Sequence, residues 1–224
     1  MRCQFTTVLM LSLFCSFALA DEPKQMMKGV ESLRTQGYSV QTITRIYSQL
    51  VSLSYPQGFI PAFVDAKNGH YIQESVLEGE SVKKWTQMIT ITGYQNLTSN
   101  PNITPTKFLN GMAGGFKNAC PNSFSATGLG EGKVDNHDTS AALISCGVAT
   151  QATNTYSESA MVVVIKGVTD YYIIQWAERA DASQTPIAFD KDKWLERFKK
   201  LTPIKLCPVI EGEQQPYPSC ASQK

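Results

Sequence analysis

The sequence predicts an α+β fold: an antiparallel β-sheet packed with helices, in the manner of a sandwich. Three observations carry this expectation. Short alternating or wholly apolar runs recur from Leu50 to Glu178, separated by turn signals such as Tyr55-Pro56-Gln57-Gly58 and Asn68-Gly69. Helical signals sit in a few inserted stretches instead of following every strand, which is the pattern of antiparallel sheets. No internal repeat is visible, so a solenoid is excluded.

Residues 1–20 read as a signal peptide. Arg2 gives the positive start, Val8 to Ala18 is apolar but too short to span a bilayer, and Ala18-Leu19-Ala20 is a small-x-small cleavage site. Cys15 follows Phe14 inside the apolar run, where a lipidation site would want a small residue. Residues 21–48 are expected to form an N-terminal helical lead-in, with a helix from Met26 to Gln36 closed by Gly37. Residues 49–206 are expected to form a single α+β domain, and residues 207–224 a Pro-rich tail tethered by a disulfide.

Within the domain, Ile43 to Ser54 is ambiguous in its first half and strand-like in its second. Pro56 and Gly58 make a turn, because one fixes φ and the other permits reversal. Phe59 to Val64 is a strand, and Asn68-Gly69 is a hairpin turn leading into a strand from His70 to Leu77. Trp85 to Thr92 alternates most clearly, with Trp85, Gln87, Ile89 and Ile91 on one face and Thr86, Met88, Thr90 and Thr92 on the other. Thr104 caps a helix from Pro105 to Asn118, with proline at its first position. Strands follow at Phe124 to Leu129 and Ala141 to Val148, with a Gly- and Asp-rich connection between them read as flexible. Ala160 to Ile165 and Tyr171 to Glu178 form a hairpin, within which Met161 to Ile165 has the length of a buried strand. Asp190 caps a last helix with an apolar stripe of Trp194, Leu195, Phe198 and Leu201, and Pro203 ends it.

The order of these pieces resembles a known group. Residues 50 to 59 (LVSLSYPQGF), the WTQMITI strand from Trp85, a helix, the VVVIKG and YYIIQW hairpin and the final WLERFKKL helix together resemble the Mog1/PsbP-like fold. The resemblance covers about Gln49 to Leu201. It implies an antiparallel sheet packed between helices, in a group that includes exported bacterial proteins, and it implies no catalytic residue.

Composition narrows the function. The chain carries a net charge of +1, and cleavage after Ala20 would remove only Arg2. A neutral chain without a basic stripe excludes a dedicated nucleic-acid binder. No integral membrane segment is expected after signal cleavage. Four cysteines lie outside the signal, Cys120, Cys146, Cys207 and Cys220, and an even count in an exported chain reads as disulfides. Three connectivities are open; Cys120–Cys146 and Cys207–Cys220 are favoured because each pair is closest in sequence. With no C-x-x-C and two histidines, neither a metal nor a cofactor is expected.

No constellation assigns a catalytic residue. A serine-nucleophile elbow is missing, and Gly128 to Lys133 lacks the hydroxyl residue and helix of a phosphate loop. Glu74, Glu78 and Glu80 cluster before Trp85, and His137 is followed by Asp138. An envelope hydrolase using Glu74 and Glu80, or His137 with Asp138, is therefore the alternative. Glu178 and Arg179 are read as a hairpin-end ion pair. The leading expectation is a periplasmic or secreted binding or accessory module, non-enzymatic, whose ligand is an envelope protein or a small molecule. Its binding surface is placed at Trp85, Gln87, Gln175 and Trp176, because glutamines inside strong strands need partners.

Overall fold

The computed structural model describes Ser32 and residues 40–151 and 154–221. The expected signal peptide lies outside the described residues, as does the helix from Met26 to Gln36 apart from Ser32, which is helical and exposed. Ser39–Lys224 forms one compact unit.

The described residues build two antiparallel sheets. β1 (Gln41–Ile46) and β2 (Gln49–Ser54) form a hairpin around Tyr47 and Ser48, with Tyr47 at φ 54°. Residues 41–48 therefore belong to a strand and its turn and not to a helical lead-in. The Thr42-Ile43-Thr44 alternation suits a strand lying on the side of its neighbour. β2 is buried along its whole length because β10 (Lys205–Pro208) flanks it on the other side. Cys207 and Pro208, expected to begin a tail, end this strand instead.

The larger sheet runs β3-β4-β5-β9-β8-β7-β6. Its members are β3 (Phe59–Lys67), β4 (His70–Leu77), β5 (Gln87–Tyr94), β6 (Phe124–Val134), β7 (His137–Gln151), β8 (Asn154–Lys166) and β9 (Tyr171–Ala180). All neighbours are antiparallel. Asn68 and Gly69 both have positive φ, as a two-residue hairpin turn requires. The Gly-rich stretch expected to be flexible continues β6 through a bulge at Gly130, where φ is 120°. Glycine accepts that conformation at no steric cost.

α1 (Pro105–Ala119) is capped by the Thr104 hydroxyl, which accepts from the Lys107 N–H at 3.2 Å. α2 (Lys191–Leu201) is capped by Asp190, whose carboxylate accepts from the Lys193 N–H at 3.0 Å. Trp194 and Leu201 are buried, but Leu195 faces solvent, since a residue one step from Trp194 lies about 100° around the helix. A short α3 (Pro218–Ala221) follows.

Two cores result, one on each face of the larger sheet. On one face Ile89, Ile91, Ile174 and Trp176 meet Val51 and Leu53 of β2 and Trp194 and Leu201 of α2. On the other, Leu109, Met112 and Phe116 of α1 pack on Ile144, Val162 and Ala160. The run from Met161 to Ile165 is buried on both sides, as its uninterrupted apolarity predicts. Cys120 pairs with Cys146, tying the end of α1 to β7, and Cys207 pairs with Cys220, tying β10 to α3. Their Cα atoms lie 5.7 and 5.6 Å apart, within the range disulfides adopt.

The two sheets are locked at Asp170, which is 1% exposed at the end of the β8–β9 turn. Its carboxylate accepts from the Ser48 N–H (3.0 Å) and hydroxyl (2.5 Å) in the β1–β2 turn, and from the Asn96 N–H (2.7 Å) after β5. Beside it, Gln49 accepts from the Val168 N–H at 2.8 Å, and Tyr172 donates to the Ile46 carbonyl at 3.1 Å. Gly167 has no room for a side chain: a Cβ there would collide with Gln49 and Tyr172. Burial alone would raise the Asp170 pKa, but the hydrogen bonds from Ser48 and Asn96 outweigh it and hold the carboxyl below its ordinary value.

A group with a depressed folded pKa contributes stability that is present above the unfolded value, about 3.9, and lost as pH falls through the folded value. Asp170→Asn is expected to cost about 2–3 kcal/mol at pH 7, because a side-chain NH₂ would then face backbone donors. The wild type should lose this advantage below about pH 4, so that urea denaturation curves of the two proteins converge in acid. Equal stability at pH 7 would contradict the role given to Asp170.

Candidate functional site

α1 lies mainly over β6, β7 and β8, and Phe108 near its start packs on Tyr94 of β5 and Tyr171 of β9. Beside the helix, β4, β5 and β9 floor a groove of about 370 Å³. It is lined by His70, Ile72 and Glu74 of β4, by Met88, Thr90, Thr92 and Tyr94 of β5, and by Gln175, Ala177 and Arg179 of β9, with Val82, Trp85 and Glu158 at its edge.

Register explains which residues meet. Glu74 lies opposite Thr90, and Thr90 lies opposite Gln175. These three form one polar row straight across three strands. The rows on either side are Ile72–Thr92–Ile173 and Val76–Met88–Ala177, which are largely apolar. Among the described residues, the side chains of Glu74, Thr90 and Gln175 have no hydrogen-bond or ion-pair partner. Burial pushes the Glu74 carboxyl above its ordinary pKa, and the field of Arg179 only partly offsets this.

One end of the groove is built around Arg179. Its guanidinium lies 3.8 Å from the centroid of Trp85 and 3.9 Å from that of Tyr156, and its Nε donates to Glu158 at 3.0 Å. Both side chains of the ion pair are mostly buried, 16% and 18% exposed, so this pair is less screened than a surface one. Trp85 reaches this position from a loop, not a strand. Glu80 accepts from the Thr86 N–H (3.0 Å) and hydroxyl (2.6 Å), and the Thr86 carbonyl accepts from the Arg179 N–H at 2.9 Å. At the other end the His70 and Tyr94 rings are 4.9 Å apart.

The four residues expected to share a surface are split by the sheet into two pairs. Trp85 and Gln175 line the groove. Gln87 and Trp176 lie on the opposite face under α2, where the Trp176 indole N–H donates to Gln87 Oε1 at 3.1 Å and Arg197 donates to the same oxygen at 3.2 Å. Gln87 is thus a structural bridge between sheet and helix. Trp85 precedes β5, so the alternation that places Gln87, Ile89 and Ile91 together does not extend back to it.

The ion pair expected between Glu178 and Arg179 does not form, because successive strand residues point to opposite faces. Arg179 takes Glu158, whereas Glu178 accepts from Lys193 (2.5 Å) and Arg197 (2.7 Å) of α2. Burial would raise the Glu178 pKa, but those two cations hold it below its ordinary value. The residues of the hydrolase reading are likewise dispersed. Glu74 lines the groove while Glu80 holds the Trp85 loop. Nδ1 of His137 is 3.2 Å from the Lys166 carbonyl, and Asp138 pairs with Lys133 at 2.9 Å. Glu158 and Thr90, which complete the groove, and Tyr156, which lies against the Arg179 guanidinium, were beyond sequence reasoning because only register and loop path bring them there.

No protein-family profile and no curated protein matches this chain. Among solved structures it is similar to a Bacteroides thetaiotaomicron protein at 11% identity and TM-score 0.38, over 74% of this chain and 47% of that one. The chain thus spans about half the length of that protein. It is also similar to the Saccharomyces cerevisiae Ran-binding protein Mog1p, at 12% identity and TM-score 0.38, over 73% of this chain and 85% of that one. A point variant of Mog1 gives 12% identity and TM-score 0.36. The resemblance is a weak one of fold, and no residue role passes through it.

The two glutamines should therefore behave differently. Gln87→Ala leaves the Trp176 and Arg197 donors without their acceptor and is expected to cost about 1–2 kcal/mol in chemical denaturation. Gln175→Ala removes no internal partner and is expected to change stability by less than about 0.5 kcal/mol. The reverse order would contradict the assignment of faces.

Proposed function

We infer that this chain is a non-enzymatic binding or accessory module of the cell envelope, and that it binds in the groove over β4, β5 and β9. The observation that carries this reading is the polar row Glu74–Thr90–Gln175, set among apolar neighbours and lacking internal partners. Half-buried polar side chains without internal partners keep their hydrogen-bonding capacity for water or for a ligand that meets them. The exposed lining of the groove is chiefly polar, so a small ligand that offers hydrogen bonds suits it. Trp85 and Gln175 remain in the site; Gln87 and Trp176 support it from beneath.

Export is supported by the signal-like residues 1–20 and by two disulfides, which suit an oxidising compartment. Among the described residues no helix is long and apolar enough to cross a membrane. The hydrolase alternative is not favoured, since neither Glu74 with Glu80 nor His137 with Asp138 converges on one reacting position.

A thermal-shift screen of small organic molecules tests the reading, because a ligand that binds the folded state raises its melting temperature with concentration. Compounds giving a saturable shift are expected to lose it in Gln175→Ala and to keep it in Gln87→Ala. Shifts that survive Gln175→Ala would remove the groove as the site.

A further inference from the structure

Three features decide what chemistry the groove takes. The first is its charge. Of its carboxylates, Glu158 is neutralised by Arg179, but Glu74 has no ion-pair partner among the described residues. The groove thus carries one uncompensated negative charge at its middle, beside a hydroxyl (Thr90) and an amide (Gln175) able to accept further hydrogen bonds.

The second feature is continuity with apolar space. Glu158 also lines a hollow of about 400 Å³ along α1 formed by Met112, Gly115, Phe116, Ala119 and Ala149. Glu158, already paired, is its sole charged lining residue among the described residues. A second hollow of about 460 Å³ adjoins the groove at Tyr94, but Lys107 stands on its lining and disfavours a cation there. The third feature is distance. Gln175 and Arg179 are four residues apart on β9, about 13 Å at the usual strand rise. Glu74 lies two strands from β9, about 10 Å across the sheet, so a ligand anchored on this row must extend by about 13–16 Å to reach the apolar hollow.

Resting on the groove reading above, we propose that the ligand is an amphiphilic organic cation: a primary ammonium held by Glu74, Thr90 and Gln175, on an apolar chain that runs past Arg179 into the hollow beside α1. The ammonium supplies three donors to a row that offers acceptors, and it compensates Glu74 in a partly desolvated site where opposite charges attract more strongly than in water. An anion would meet Glu74 unpaired. A neutral chain of equal length would fill the hollow and leave the row unsatisfied.

Isothermal titration with n-dodecylammonium, n-dodecanol and dodecanoate, each below its solubility limit, separates these cases on the intact folded protein. n-Dodecylammonium is expected to bind saturably and at least tenfold tighter than the other two. Glu74→Gln should reduce it to the level of n-dodecanol, and Glu74→Asp should retain part of the preference. Ala119→Trp, on the hollow's lining, should weaken the ammonium and the alcohol together. Equal affinity for n-dodecylammonium and n-dodecanol, or a preference for dodecanoate, would overturn the cation while leaving the groove as a site. Absence of saturable n-dodecylammonium binding would also overturn it, and the screen with Gln175→Ala would then judge the groove separately.

Discussion

The organisation of this protein follows from a mismatch of width. Seven strands at about 4.8 Å spacing span about 29 Å, whereas one helix with its side chains is about 10–12 Å across. On the face where α1 packs, a single helix cannot cover the larger sheet. It lies mainly over β6, β7 and β8, touches β5 and β9 through Phe108, and leaves part of the β4-β5-β9 surface as the floor of a groove. On the opposite face the three-stranded sheet and α2 together supply the missing width. One face is closed and the other is partly open. The polar substitutions follow that division.

The closed face depends on Asp170 and Gln87, two side chains whose oxygens accept hydrogen bonds from more than one element. Asp170 joins the β1–β2 turn, the segment after β5 and the β8–β9 turn, so that the small sheet lies in one place against the large one. Gln87 does the same for α2 through Trp176 and Arg197. Glu178 completes the attachment with Lys193 and Arg197. Polar residues in these positions specify geometry because each has a partner. Those in the groove, Glu74, Thr90 and Gln175, have none from within, and that contrast separates support from site.

Much of the fold was legible because it rests on local rules. The Asn68-Gly69 turn, the Thr104 and Asp190 caps, the alternation from Gln87 to Thr92 and the buried run at Met161 to Ile165 each state their structure within a few residues. Both cysteine pairs followed from proximity in sequence. Elsewhere local rules did not reach. Gly128 to Lys133 has the composition of a loop, and pairing with β7 makes it a strand. Trp85 obeys the alternation of its neighbours on paper, but its loop, held by Glu80, carries it to the other face. The candidate site was half legible for the same reason. The pattern within β5 and within β9 correctly sorted residues into two faces per strand, but nothing in either strand alone says which face of one continues which face of the other. That needs the register Thr90↔Gln175, and with it Gln175 joins Glu74 instead of Gln87.

The central claim is that the row at Glu74, Thr90 and Gln175 is open to solvent-borne ligands and negative in potential. Cysteine labelling measures both properties at once. In Thr90→Cys, with the native disulfides left intact, the rate of modification by the cationic aminoethyl methanethiosulfonate is compared with that by the anionic sulfonatoethyl reagent. The account predicts that Thr90→Cys reacts in the folded protein and favours the cationic reagent by tenfold or more over their ratio at a cysteine replacing exposed Val168. A Thr90→Cys that stays unreactive until the protein unfolds, or that favours the anionic reagent, would contradict it.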